Sequence, residues 1–339
     1  MDERYIKQIN FNGIGKEGQL KLQNGRALII GCGALGTVVA NSLVRTGVGF
    51  IRIVDRDYVE LSNLHRQILF DEIDAEVSIP KVEAAKAKLS KVNSSIIIEG
   101  LIKDVNSLTI EKMIKDIDII IDCTDNFKTR FLINDISFSK KIPWIYGGAI
   151  GSTGVIKSFI PGKTGCLRCM MDTPPPAGTF ATCDTAGVIN TTTGVVGMLQ
   201  ANEAIKYLAD QEKEMDNKMV FLDLWENIFE RIELKVRQDC KCCKCGEYEF
   251  LDNKMLEALH MCGNNSIQVD PHGGKGSISL DALYQRLNSV GIKVKLTPFL
   301  LNITVDGYEI KIFDDGRAII KNAVTTEEAM GVYSRYIGY

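Results

Sequence analysis

Between residues 26 and 160 the chain alternates two hydrophobic rhythms. Short apolar runs recur at "RALIIG", "FIRIVD", "SIIIEG", "IDIIIDCTD" and "IPWIYGG". Helical patterns lie between them. "LGTVVANSLV" puts Leu35, Val38, Val39 and Leu43 on one face, and "KVEAAKAKLSKV" does the same with Val82, Ala85, Leu89 and Val92. Strands alternating with helices need crossover connections. The pattern therefore predicts an α/β, Rossmann-like, doubly wound and mostly parallel sheet covered on both faces.

The rhythm breaks at 172–192, "DTPPPAGTFATCDTAGVINTT", where three prolines and small polar residues fit no regular element. A loop of that length is usually functional or mobile. A helix over 194–210 follows, then the strand-like runs "KMVFLDL" and "FERIELKV". After a cysteine cluster the texture changes, and 249–339 reads as a small α+β module: a helix in "SLDALYQRLNSV", three strands, and a helix in "TTEEAMGVYSRYI". "DDG" at 314–316 predicts a hairpin turn between two of those strands. Two domains are expected, 1–248 and 249–339.

Composition narrows the class. The chain has 339 residues, 45% of them hydrophobic, with a net charge of −3. Near-neutral charge argues against bulk nucleic-acid binding, and no apolar run is long enough to span a bilayer. The first ten residues, "MDERYIKQIN", lack the apolar core of a signal peptide, so a cytoplasmic protein is expected. Cysteines in such a chain act as thiols or metal ligands rather than disulfides.

Gly31, Gly33 and Gly36 form G-x-G-x-x-G between a strand and a helix, and Asp55 closes the next strand. Such glycines let a phosphate approach backbone amides and the helix dipole, while the acid takes ribose hydroxyls. NAD and ATP fit these features equally well. "DRDYVELSNLHRQILF" then supplies Asn63, Arg66 and Gln67, and Lys81 opens a helix after Pro80. Asp122 and Asp125 close the strand "IDIIIDCTDN". Cations and a metal-binding carboxylate gathered at successive strand ends suit a triphosphate with Mg²⁺ better than a nicotinamide.

"CLRC" supplies Cys166 and Cys169, and "DCKCCKCG" supplies Cys240, Cys242, Cys243 and Cys245. Two C-x-x-C pairs meeting in space make a tetrahedral Zn²⁺ site. Cys240/Cys243 and Cys242/Cys245 both have the spacing.

"GCGALG", "VDRDYVELSNLHRQ", "PKVEAA", "DCTDNFKTR", "CLRC", "TCDTAGV" and a late C-x-x-C-G occur here in that order, and over residues 1–248 the chain resembles the ThiF/MoeB family. These are ubiquitin-activating-enzyme-like adenylyltransferases. The resemblance implies a homodimer that binds MgATP and the Gly-Gly tail of a ubiquitin-like sulfur-carrier protein. The tail is adenylylated with release of pyrophosphate, on the way to a thiocarboxylate in molybdopterin or thiamine biosynthesis. It implies ribose binding by Asp55 and phosphate binding by Asn63, Arg66 and Lys81. Asp125 holds the metal, and Gly33 lets the α-phosphate lie against backbone. Asp57, Gln67 and Asn126 join the nucleotide set, with Arg66 and Asp125 as catalytic residues. Where the family usually has R-Y-x-R-Q, "RYIKQ" places Lys7, expected to reach the partner protomer's ATP. The family's second cysteine pair precedes a glycine, which favours Cys242 and Cys245. Cys183 occupies a position that some members use for a covalent link to the carrier and others do not need. A cysteine desulfurase or rhodanese would donate the sulfur. No rhodanese-type anion loop is evident in the C-terminal module, for which an interaction or dimer-supporting role is expected. An NAD-dependent oxidoreductase, a related adenylyltransferase acting on a peptide or tRNA base, and a non-catalytic carrier-binding scaffold are the competing readings.

Overall fold

The computed structural model describes residues 3–175, 186–252, 259–261, 266–270 and 278–338. It divides into two compact units, Met1–Asn253 and Lys254–Tyr339.

The first unit is built on an eight-stranded sheet of order β3-β2-β1-β4-β5-β6-β7-β8. Its parallel half comprises β1 (Arg26–Ile30), β2 (Phe50–Val54), β3 (Ile97–Leu101), β4 (Ile119–Asp122) and β5 (Trp144–Ile150). Alternate residues of these strands feed two cores. Ile29, Ile51, Ile53 and Ile121 pack on the side of helices Ala34–Thr46 and Lys81–Val92, with Val39, Leu43 and Leu89. Leu28, Ile30, Val54 and Ile120 pack on the other side, with Phe131 and Ile133 of helix Phe127–Lys140. Both faces are thus apolar, which is why the strand runs read as continuous rather than alternating hydrophobics.

The sheet then turns antiparallel through β6 (Thr153–Phe159), β7 (Met219–Asp223) and β8 (Ile228–Ile232). The sequence pattern did not single out β6, whose alternation is broken by Lys157. That lysine is buried, its Nζ donating to the carbonyls of Ser158 (2.8 Å) and Asn217 (2.9 Å). A buried amine with backbone acceptors counts as core in space but as polar on the page.

The second unit is a six-stranded antiparallel sheet, β11-β12-β13-β14-β10-β9, where three strands were expected. Its strands are β9 (Leu259–Met261), β10 (Ser266–Val269), β11 (Lys293–Leu296), β12 (Leu300–Val305), β13 (Tyr308–Phe313) and β14 (Ala318–Lys321). Helices Leu280–Ser289 and Thr326–Tyr336 supply Leu283, Leu287, Ala329 and Tyr333 to a core shared with Ile267, Ile303, Ile310 and Ile320. Asp314–Gly316 does turn β13 into β14, with Gly316 at φ +86°. Among the described residues no helix is long and apolar enough to cross a membrane.

Candidate nucleotide site and cysteine cluster

Parallel strands deliver their carboxyl ends to one edge of the sheet, and the predicted nucleotide residues follow those ends. After β1 the chain turns at Gly31, φ +95°, where a Cβ would run into the Cys123 carbonyl. Helix Ala34–Thr46 begins at once, with Gly33 as N-cap and no side-chain cap. Its first-turn amides are therefore open to an anion. Among the described residues beyond its chain neighbours, the Gln67 amide alone comes within 4 Å of where a Cβ on Gly33 would stand.

Asp55 follows β2. Its Oδ2 accepts the Cys32 N–H at 2.6 Å and its Oδ1 accepts the Asp57 N–H at 2.7 Å, which ties this acid to the glycine turn. Burial pushes its carboxyl above the usual range, and Lys81 pulls it back. Lys81 is buried at the first turn of helix Lys81–Val92, its Nζ donating to Asp57 Oδ2 at 3.1 Å. Burial alone would lower that amine, but Asp57 and Asp55 more than reverse it, so it stays charged. Asp57 thus holds Lys81 through its Oδ2.

Asn63 and Arg66 come from the turn after the 3-10 helix Leu61–Asn63. Asn63 is buried and its Oδ1 accepts the Glu60 N–H at 3.2 Å. Arg66 is half-buried and donates to the Ser62 carbonyl at 3.0 Å. After β4, Asp125 is exposed. Asn126 caps helix Phe127–Lys140 by accepting the Thr129 N–H at 2.9 Å. Asp122 is fully buried against Arg130, 3.4 Å away, and does not open to solvent.

Lys7 is not brought to this edge within the chain. It stands exposed on the helical turn Ile6–Ile9, and its neighbour Gln8 donates to the Thr46 carbonyl at 3.0 Å. Thr46 closes the helix that Gly33 opens, about 20 Å along its axis at 1.5 Å per residue. Cys183 lies outside the described residues.

The cysteines correct the expected pairing. Cys166, Cys169, Cys240 and Cys243 place their sulfurs all within 4.8 Å of one another. Cys166 and Cys240 are 3.5 Å apart, as are Cys169 and Cys243. A tetrahedral ZnS₄ centre with bonds near 2.3 Å needs sulfurs about 3.8 Å apart, so the donor set fits Zn²⁺. Cys242 and Cys245, the pair preferred from the trailing glycine, are not in this set. Cys242 turns inward and its sulfur accepts the Asn134 Nδ2–H at 3.2 Å, while Cys245 is exposed. The carbonyls of Cys240 and Cys242 accept the amides of Cys245 and Gly246, and Gly246 takes φ +73°. The turn folds the first and fourth residues of the run inward and sends the sixth out.

A profile described as the ThiF family matches residues 5–244. The chain belongs to the ThiF family. It is 39% identical over 343 residues, covering all of both chains, to the sulfur carrier protein ThiS adenylyltransferase of Bacillus subtilis (strain 168). It is 32% identical to the SAMP-activating enzyme E1 of Haloferax volcanii, over 74% of this chain and 92% of that protein. Among solved structures, E. coli MccB with ATP superposes with a TM-score of 0.63 at 25% identity, over 71% of this chain and 75% of that one.

Sequence reasoning missed Arg130. It is buried and its Nη2 donates to the carbonyls of Thr124 (2.7 Å) and Gly147 (3.2 Å). It thereby fixes the turn that presents Asp125. Gln200 assists from helix Asn190–Leu208, donating to the Asp122 carbonyl at 2.6 Å. The available signal was Arg130's place four residues after the Asn126 cap, which points it back along the helix towards the strand end.

Proposed function

We propose that the protein adenylylates the C-terminal glycine carboxylate of a ubiquitin-like sulfur-carrier protein of the ThiS kind, activating it for thiocarboxylate formation in thiamine biosynthesis. The observation that carries this reading is the convergence of the glycine turn, Asp55, Lys81, Arg66 and exposed Asp125 on one sheet edge, in a chain similar end to end to a ThiS adenylyltransferase. The match to that relative includes residues 254–339, whereas the archaeal E1 aligns with 74% of the chain. This favours a ThiS-like carrier over the molybdopterin-side one.

A carboxylate attacking a polyphosphate meets like charge, so neutralisation and alignment carry the catalysis. The tail oxygen bonds to the α-phosphorus, the bond from that phosphorus to the bridging oxygen breaks, and pyrophosphate leaves with the electron pair. Asp55 binds the ribose. Asn63, Lys81 and Arg66 hold the phosphates. Asp125 would offer Mg²⁺ a hard carboxylate oxygen, and the ion would supply charge neutralisation for the phosphates. The Cys166/Cys169/Cys240/Cys243 set holds Zn²⁺. The protein works as a homodimer, in which Lys7, remote from its own chain's glycine turn, serves the partner's ATP. Lysine keeps the charge there without an arginine's forked geometry. A cysteine desulfurase or rhodanese supplies sulfur to the acyl-adenylate, with Cys183 as the thiol available for covalent transfer.

The test is carrier-dependent ATP–pyrophosphate exchange. Wild type exchanges label with a Gly-Gly carrier present. Arg66→Ala and Asp125→Ala each slow exchange by at least about 100-fold, the scale for removing a preorganised charge-stabilising group. Exchange unaffected by either substitution removes that residue from the site. Saturation of the pocket by NADH with no response to MgATP would overturn the assignment.

A further inference from the structure

Three helices share one face of the large sheet, with Leu43, Leu89 and Val196 in a common core. Lys81–Val92 lies over β3, where a Cβ on Gly100 would touch Val82. Asn190–Leu208 lies over β5 and β6, where Cβ atoms on Gly147 and Gly154 would meet Gln200 and Val196. Ala34–Thr46 runs between them. The strand that feeds it, β1, stands between β3 and β5, and a Cβ on Gly197 would run into its Val38 and its Leu35 carbonyl.

Helix Asn190–Leu208 starts at the carboxyl edge of β5. Gly151 follows that strand directly, donates its N–H to the Gly187 carbonyl at 2.8 Å and accepts the Ile189 N–H at 3.1 Å. Ile189 is the N-cap and supplies no side-chain cap. The amides of Asn190, Thr191 and Thr192 therefore have no partner among the described residues, and Ile189, Asn190 and Thr191 are exposed. A second observation does not depend on the helix end. Thr192 is fully buried, yet among the described residues its hydroxyl has no partner, whereas the Thr193 hydroxyl donates to the Asn190 carbonyl at 2.9 Å. Buried polar groups almost always find partners, and valine would fill this place without the desolvation cost. Side chains lean towards the start of their helix, so Thr192 Oγ1 is aimed at the same opening as the amides.

N–H donors and a hydroxyl at the positive end of a 19-residue helix call for an anion. Gly197, the eighth residue of its helix, meets the second and fifth residues of Ala34–Thr46. The start at Asn190 thus stands about 5–9 Å further out than the glycine turn, at 1.5 Å per residue. It also stands on the flank opposite Lys81. Displacement at phosphorus puts the entering and leaving oxygens on opposite sides. With the α-phosphate against Gly33 and pyrophosphate departing towards Lys81, the entering oxygen comes from the flank of β5.

Resting on the adenylylation reading, we propose that the start of helix Asn190–Leu208 seats the carrier's C-terminal carboxylate, with the Asn190 and Thr191 amides and the Thr192 hydroxyl donating to it. One carboxylate oxygen is held there. The other bonds to the α-phosphorus as the bond to pyrophosphate breaks, the electron pair leaving with pyrophosphate. No proton moves, because the carboxylate arrives ionised. Two neighbouring helix starts thereby hold two mutually repelling anions side by side.

The experiment measures three quantities on the full chain: ATP–pyrophosphate exchange against the concentration of a ThiS-like Gly-Gly carrier, MgATP binding by calorimetry without carrier, and the ligand-free melting temperature. Thr192→Val keeps the shape and removes the donor. Its Michaelis constant for the carrier should rise about ten-fold, the scale for a hydrogen bond to a charged group, with MgATP affinity as in wild type and no fall in melting temperature. Asn190→Asp fixes a carboxylate at the helix start. The dipole favours it, so the melting temperature should hold or rise, yet carrier-dependent exchange should fall at least about ten-fold through like-charge repulsion. This variant serves if Thr192→Val does not fold. Wild-type carrier dependence in both variants would overturn the proposal. So would a matching loss of MgATP affinity, which would put a phosphate at the opening, or a lower melting temperature in Thr192→Val, which would reveal a structural partner for the hydroxyl. Absence of exchange in wild type would sink the adenylylation reading and this assignment with it, whereas wild-type exchange with unaltered variants removes this assignment alone.

Discussion

In the parallel half of the large sheet, β3-β2-β1-β4-β5, every strand ends at the same edge. That edge gathers Gly31, Asp55 and Asp125 from three strand ends. In the antiparallel half, β6 and β8 run against β5, so their ends lie at the opposite edge. The segments that follow β6 and β8 carry Cys166/Cys169 and Cys240/Cys243. One sheet therefore separates chemistry from fastening. The edge with the proposed nucleotide residues carries charged groups, while the cysteine edge brings four sulfurs of two late segments together. A metal held by these four sulfurs would tie the segments after β6 and β8 together.

The sharpest way to break this contrast is at the turn where the parallel half meets its ligand. A Cβ on Gly36 would press well inside contact distance of the Gly31 carbonyl oxygen, which is backbone and has no room to move. Gly36→Ala should cost about 3 kcal/mol or more of stability and abolish MgATP binding, measured by thermal melting and calorimetry. The cysteine edge should keep its zinc, provided the variant folds. A Gly36→Ala protein that binds MgATP normally would mean the helix start does not pack as described.

The converse test loosens the cysteine edge. Cys166→Ser or Cys243→Ser should drop zinc from about one equivalent per chain towards zero and lower the melting temperature, since metal binding energy is folding energy at such sites. Cys245→Ser should change neither, its thiol being exposed outside the cluster. Cys166 is the member most ready to ionise. Its hydrogen bonds with Cys242 and Cys240 hold it down at about 5, well below an ordinary thiol. Zinc loss in Cys245→Ser with retention in Cys243→Ser would restore the other register.

The two edges were not equally legible. Helix Lys81–Val92 has the bounds of the run "KVEAAKAKLSKV", and the carboxyl-edge rule locates any residue that follows a parallel strand. Asp55, Lys81 and Asp125 could therefore be placed from order alone. What order could not give was side-chain direction. "DCKCCKCG" satisfies the spacing twice, and only the folded turn decides which sulfurs face Cys166 and Cys169. Asp57, expected in the nucleotide set, also partners Lys81, because a helix start brought the amine back onto it. Arg130 was not singled out, because its burial against Asp122 is a property of the folded turn. In the antiparallel half, β6 escaped notice because of Lys157.

That lysine gives the smallest test of the contrast, confined to the antiparallel half. Burial pushes its amine down to about 8 from an ordinary value of 10.5, with Asp216 and Glu203 opposing the shift. Below pH 8 the folded and unfolded chains both carry the proton, and the cost of burying the charge is present in full. Between pH 8 and 10.5 the unfolded chain keeps the proton and the folded chain gives it up, so rising pH favours the fold. Above that window both are neutral and the cost has gone. Relative to Lys157→Met, the wild-type protein should gain at most about 3 kcal/mol of stability from pH 8 to 10.5, read from denaturant midpoints at stepped pH. Nucleotide affinity at fixed pH should be the same in both proteins, because Lys157 sits on β6, outside the edge proposed to bind phosphate. Parallel stability curves for the two proteins across that range would mean that the Lys157 amine keeps its charge in the folded chain, held by Asp216 and Glu203.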